Sequence, residues 1–96
     1  MKIRNLRHKG LRRLFEEDKT SGLPAPSVDK IRKMLAFLQD MDSVEELQAI
    51  PAWRAHRLTG NRRGVWSLTV SRNRRLTFRI DATEGEILDL DFEDYH

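Results

Sequence analysis

The sequence predicts an α+β fold in which two N-terminal helices pack on one face of a mainly antiparallel β-sheet. Apolar residues recur at helical spacing as far as Met41, the period drops to two after Trp53, and glycine and proline gather between the periodic stretches. Ile3 and Leu6 lie in a short opening stretch of their own. Leu11, Leu14 and Phe15 then mark a first helix, with Lys9, Arg12 and Arg13 on its other faces. Gly22, Pro24 and Pro26 make Thr20 to Ser27 a loop, because none of them suits a helix interior. Ser27 is an apt cap for a second helix, whose stripe of Val28, Ile31, Leu35 and Leu38 is broadened by Met34, Phe37 and Met41. The methionines on that stripe read as flexible core filling rather than as ligands.

Beyond Trp53 the chain reads as a meander. Trp66, Leu68 and Val70 supply a middle strand. Leu76, Phe78 and Ile80 then oppose Arg75, Thr77 and Arg79, and Leu88, Leu90 and Phe92 oppose Asp89, Asp91 and Glu93. Turns are expected at Gly60 to Gly64, at Ser71 to Arg74 and near Gly85. Such alternation gives a sheet with one dry and one wet face. The helices must cover the dry one, which leaves Arg75 and Arg79 on the other, with His56 as a further candidate there.

A chain of 96 residues, 39% hydrophobic and 34% charged, is expected to form a single domain over residues 1–96 with one modest core. It holds no apolar run of bilayer length and no leader-like opening, so a cytoplasmic location with no membrane partner is expected. The absence of cysteine excludes disulfides, thiolate nucleophiles and cysteine-ligated zinc. Charge is segregated along the chain. Residues 1–13 carry six bases and no acid, residues 53–80 carry eight bases and no acid, and residues 81–96 carry seven acids and no base. Of the 18 basic residues 13 are arginine, whose planar fork matches phosphate. Nucleic acid is therefore the favoured partner, and the ordinary alternative is that acidic and basic strands pair with each other.

RNA can be cut without a metal if a base takes the proton of a 2′-hydroxyl, a cation offsets the charge developing on phosphorus, and an acid protonates the departing 5′-oxygen. Histidine can fill either proton-transfer role and arginine the cationic one. His56 lies in the basic segment, and Asp94, Tyr95 and His96 follow the last strand, so a sheet that sets its final strand beside the earlier ones would gather them. Each also has an ordinary reading as a solvated strand residue or a frayed end. His8, His56 and His96 have no metal-ligand spacing, so neither metal nor cofactor is expected. The loop with Asn61, Arg62 and Arg63 reads as a basic hairpin turn, since no helix follows it to complete a phosphate-binding loop.

Several of these stretches occur together in one known family. His8-Lys9-Gly10-Leu11 with Leu14-Phe15-Glu16, Ser21-Gly22-Leu23-Pro24-Ala25, Gly60-Asn61-Arg62-Arg63-Gly64 before Trp66-Ser67, Arg75-Leu76-Thr77-Phe78 and Glu93-Asp94-Tyr95-His96 resemble HigB-type toxins of the RelE/ParE superfamily along the whole chain. The resemblance implies a microbial-RNase-like fold and a metal-independent RNA endonuclease that cuts messenger RNA in the ribosomal A site. It also implies a helix-turn-helix antitoxin of the HigA type, whose complex with the toxin binds operator DNA. Carried onto this sequence, the catalytic set is His56, Arg75, Asp94, Tyr95 and His96, with either histidine as base or acid. Where some relatives have a lysine before the turn glycine, Thr59 stands here; either its phosphate contact passes to Arg57, Arg62 or Arg63, or activity is weaker. Lys9 and Arg79 are further candidates for RNA binding.

Two rival readings remain at the level of sequence. A ParE-like toxin would bind DNA gyrase on a similar scaffold without catalysis, and a plain basic module would bind nucleic acid and leave it intact.

Overall fold

The computed structural model describes residues 1–94. The elements are β1 (Lys2–Ile3), α1 (Lys9–Glu17), α2 (Val28–Asp40), β2 (His56–Arg57), β3 (Trp66–Ser71), β4 (Arg74–Asp81) and β5 (Glu86–Asp94). Short 3-10 turns stand at Ala25–Ser27, Val44–Ala49, Pro51–Trp53 and Gly60–Arg62. The strands form one sheet in the order β1-β5-β4-β3-β2, antiparallel except for the β1–β5 pair, so the α+β expectation is met. The centre of the sheet is β4, not the strand carrying Trp66. No helix of the described residues is long and apolar enough to cross a membrane.

Leu11 and Leu14 of α1 and Ile31, Met34, Leu35 and Leu38 of α2 cover one face of the sheet. They meet Leu68 and Val70 of β3, Leu76 and Phe78 of β4, and Ile87, Leu90 and Phe92 of β5. Met34 and Met41 are buried in this core, as their place on the stripe implied. The start of α1 is fixed by a backbone contact: a Cβ on Gly10 would lie 2.2 Å from the Gly22 carbonyl oxygen, so only glycine fits. Two glycines far apart in sequence thus clamp the Thr20 to Ser27 loop onto α1.

Ser27 does not cap α2. It sits in helical conformation at the end of the Ala25–Ser27 turn, and its side chain makes no capping bond. The prolines account for this, because the 3-10 turn they start runs straight into the helix, with Ser27 N–H donating to the Pro24 carbonyl. Ser43 does cap: with Glu46 it forms a reciprocal capping box over the Val44–Ala49 turn. Trp53 closes a further 3-10 turn, and the antiparallel strands begin only at His56.

The expected alternation in β5 slips once. Thr77 pairs with Asp91 but Arg79 pairs with Leu88, so two β5 residues, Asp89 and Leu90, oppose Phe78 alone. Asp89 takes up the extra residue at φ 54°. Ile87 therefore enters the core and Leu88 does not join Leu90 and Phe92 there. Asn5 staples this bulge: its Oδ1 accepts from Asp89 N–H at 3.0 Å, its Nδ2 donates to Asp89 Oδ1 at 3.0 Å, and its carbonyl accepts from Leu90 N–H at 3.2 Å. The opening stretch, expected only as a lead-in, is thus a parallel edge strand that shapes β5.

Candidate active site

Paired residues in an antiparallel ladder project from the same face, and successive residues from opposite faces. The register His56–Ser67–Thr77–Asp91 therefore makes one row on the face the helices leave bare, and Thr69–Arg75–Glu93 makes the next. His56 and Arg75 share that face, as expected, with His56 two strands from β4, roughly 10 Å. Ser67 and Thr77 within these rows are buried. The Ser67 hydroxyl has no hydrogen-bond partner among the described residues.

A cleft of about 230 Å³ opens on this face, lined by arginines from three segments (Arg7, Arg62 and Arg79) and by Asp89, Asp91 and Glu93. The Gly60–Arg62 turn brings Arg62 over the sheet, where its guanidinium donates to both oxygens of Glu93, at 2.8 and 2.5 Å. The Thr77 hydroxyl donates to the same carboxylate. These donors, Arg62 first, hold the Glu93 carboxyl below its ordinary range against the opposing effect of burial, and the charge of Arg7 adds to them. The other two acids are bound locally, Asp89 to Asn5 and Asp91 to the Phe92 N–H at 2.9 Å.

His56 has a defined tautomer. Its Nδ1 lies 2.8 Å from the Arg54 carbonyl, which can only accept, so Nδ1 carries the proton and the neutral ring keeps Nε2 as its proton acceptor. Arg54 turns its carbonyl toward the ring from a left-handed conformation, φ 48°, at the end of the Pro51–Trp53 turn. The Arg75 guanidinium is anchored through Nη1 to the carbonyls of Ser71 at 2.7 Å and Arg74 at 3.0 Å, so the β3–β4 turn fixes its charge in place.

Other expected residues stand elsewhere. Asp94 pairs in register with Arg74, on the same side as buried Phe92, and its Oδ1 lies 3.7 Å from Arg74 Nε. It thus belongs to the helix-covered side, opposite His56 and Arg75. Arg57 also projects to that side, in register with Trp66, and its guanidinium lies 5.9 Å from the Trp66 ring centre. Lys9 and Arg63 are exposed and do not line the cleft, whereas Arg79 does. Tyr95 and His96 lie outside the described residues. Arg7, Thr77 and Glu93 were not among the expected site residues; only the charge run of residues 1–13 and the alternation of the strands hinted at them. Among the described residues no three His, Cys, Asp or Glu side chains cluster as metal ligands would.

Residues 4–96 match the family of RelE-like toxins of the type II toxin-antitoxin system HigB. The chain belongs to the HigB-like toxin family. It is 40% identical over 94 residues to Endoribonuclease HigB of Proteus vulgaris, a match covering 98% of this chain and 99% of that protein. Among solved structures, the YoeB/ParE toxin from Agrobacterium tumefaciens superposes with a TM-score of 0.54 at 18% identity, covering 100% of this chain and 99% of that one. That likeness concerns the fold, and it gives this HigB-like chain the RelE/ParE-type architecture its sequence predicted. Membership of a type II system makes an antitoxin the partner of a HigB-like toxin. The bare sheet face is where this member of the family gathers histidine, arginine and a cleft.

Proposed function

We propose that the protein is an endoribonuclease that cuts messenger RNA in the ribosomal A site, by metal-independent attack of a ribose 2′-hydroxyl on the adjacent phosphodiester. One observation carries this reading: a histidine with Nε2 as proton acceptor and an anchored arginine share the bare sheet face beside an arginine-lined cleft. The identity with an endoribonuclease over nearly the whole chain supports it. In the proposed reaction His56 Nε2 takes the 2′-hydroxyl proton. The 2′-oxygen then bonds to phosphorus, and the bond from phosphorus to the 5′-oxygen breaks with protonation by His96. Arg75 offsets charge on the phosphoryl oxygens from its fixed position. This reading assigns Tyr95 to the scissile phosphate and gives Asp94, on the other side of the strand, the orienting of a neighbouring group. Arg62 and Arg79, with Arg7 added by the cleft, hold neighbouring phosphates, while Lys9 and Arg63 make outer contacts.

A HigA-type helix-turn-helix antitoxin that silences the toxin, and binding of operator DNA by their complex, belong to the same proposal. The test is a translation mixture of purified ribosomes and a defined messenger, with primer extension to map breaks and DNA supercoiling assayed in parallel. Wild-type protein is expected to cut the messenger in the A site and leave supercoiling intact, and His96→Ala and Arg75→Ala to cut poorly. An intact messenger with wild-type protein would reject the proposal.

A further inference from the structure

Among the described residues, Arg62 is the cleft arginine with its guanidinium fork filled by a carboxylate of the protein itself. Its two parallel bonds to Glu93 have the geometry with which arginine grips two oxygens of a phosphate. The carboxylate is not a rim group that drifted into reach. It projects from the row containing Arg75, is backed by the Thr77 hydroxyl, and its side chain is 24% exposed. Asp89 and Asp91 differ, since their bonds go to Asn5 and to backbone and would survive the arrival of an anion in the cleft.

We infer that Glu93 is a built-in stand-in for an RNA phosphate, occupying the Arg62 fork in the unbound protein and giving it up to a substrate phosphate that takes its place. The inference rests on the nuclease reading for the identity of that phosphate, a phosphodiester of single-stranded RNA. Its physical content is competition. Two anions cannot share one guanidinium fork in a partly dry cleft without mutual repulsion, so each bound phosphate must displace the carboxylate. Because Arg62 and Thr77 hold the Glu93 carboxyl below its ordinary range, it stays ionised near neutrality, and displacement rather than protonation opens the fork. The cleft is thereby kept nearly neutral while empty, and a single weak anion gains little from entering it.

The test compares binding of inorganic phosphate, and of a short 2′-O-methyl RNA that cannot be cut by 2′-hydroxyl attack, at fixed ionic strength. Glu93→Gln keeps the side chain's shape and is expected to bind both probes roughly fivefold more tightly, the upper range for breaking one partly exposed ion pair. Glu84→Gln, an equal charge change at the exposed β4–β5 turn, should leave affinity within twofold. Adding Arg62→Gln to Glu93→Gln should abolish the gain. Equal tightening by Glu84→Gln, a gain that survives Arg62→Gln, or unchanged or weaker binding by a folded Glu93→Gln protein each overturns the inference. Should Glu93→Gln fail to fold, phosphate titration of the wild type decides. The Arg62 Nε and Glu93 carboxyl NMR signals should shift together while those of the outer Arg4–Glu86 pair stay fixed, and unmoved Arg62 and Glu93 signals overturn the inference. Messenger left uncut beside a normal binding response would count against the nuclease reading alone. Cutting without the Glu93→Gln gain would count against the stand-in alone.

Discussion

The two faces of the sheet put the same residue types to opposite uses. On the helix-covered side His8 caps α1: its Nδ1 accepts from Leu11 N–H at 3.2 Å, so its proton sits on Nε2, and its ring meets Phe92 edge-on at 5.5 Å. On the bare side His56 donates from Nδ1 and keeps Nε2 as acceptor. Arg74 lies 5.6 Å from the centre of the Phe92 ring, near Asp94, whereas its neighbour Arg75 is anchored on carbonyls on the bare face. One face thus uses charge and imidazole to finish the packing at the edge of a core, and the other carries them outside it, on the bare surface beside the cleft. Residue type alone does not separate these roles; the face does.

Substituting the neighbouring arginines should break the comparison most sharply. Arg75→Ala is expected to slow messenger cleavage by about 100-fold, the scale of losing one preorganised charge-stabilising donor, while Arg74→Ala stays within about threefold. Steady-state cleavage with both variants checked for folding by circular dichroism reads the difference, and equal losses would remove the distinction between the faces.

The histidines come next. His56→Ala should lose on the order of 100-fold in cleavage with its melting temperature nearly unchanged. His8→Ala should keep its rate and lose about 1 kcal/mol of stability with the cap. Burial, chiefly, holds the His8 imidazole below its ordinary value of 6.5, with Asp91 opposing and Arg74 reinforcing the effect. The unfolded chain therefore binds a proton more readily than the folded one. The stability held by the neutral cap is complete above about pH 6.5 and is lost as pH falls through the lower folded value. Urea midpoints measured across that window should fall with pH in the wild type and flatten in His8→Asn, which caps without titrating. A wild-type midpoint that rises on acidification would contradict the assignment.

Asn5→Ala should have the smallest effect, about 1 kcal/mol from side-chain bonds at the bulge. It sharpens the comparison because the bulge decides which β5 residues face the cleft. A modest fall in cleavage should accompany the lost stability, and hydrogen exchange at Asp89 and Leu90 should quicken.

The fold was largely legible because apolar period reports which side of an element is buried. The stripes of α1 and α2 and the alternation of β3 and β4 needed no context beyond themselves. Alternation broke in β5, where Leu88 looked equivalent to Leu90. The bulge at Asp89 depends on Asn5, more than eighty positions away in sequence, and no local pattern carries that contact. Likewise the Ser43 to Glu46 capping box, a local pattern, went unread, whereas Ser27, read as a cap, lost that role to the prolines around it. At the site the charge runs pointed to both phosphate and strand pairing, and the structure contains the second directly: Arg62 meets Glu93, and Arg4 meets Asp81 and Glu86. Asp94 was assigned by position in a motif and Arg57 as a substitute for the contact missing at Thr59, but a face is set by register, and one residue of offset puts a side chain behind the sheet.

The most direct test of the account is the chemistry of the broken ends. If His56 and Arg75 cut through the 2′-hydroxyl on the bare face, the upstream fragment carries a 2′,3′-cyclic phosphate or its opened form, the downstream fragment carries a 5′-hydroxyl, and a chelator leaves the rate unchanged. Downstream fragments bearing 5′-phosphate, or a rate abolished by the chelator, would contradict it.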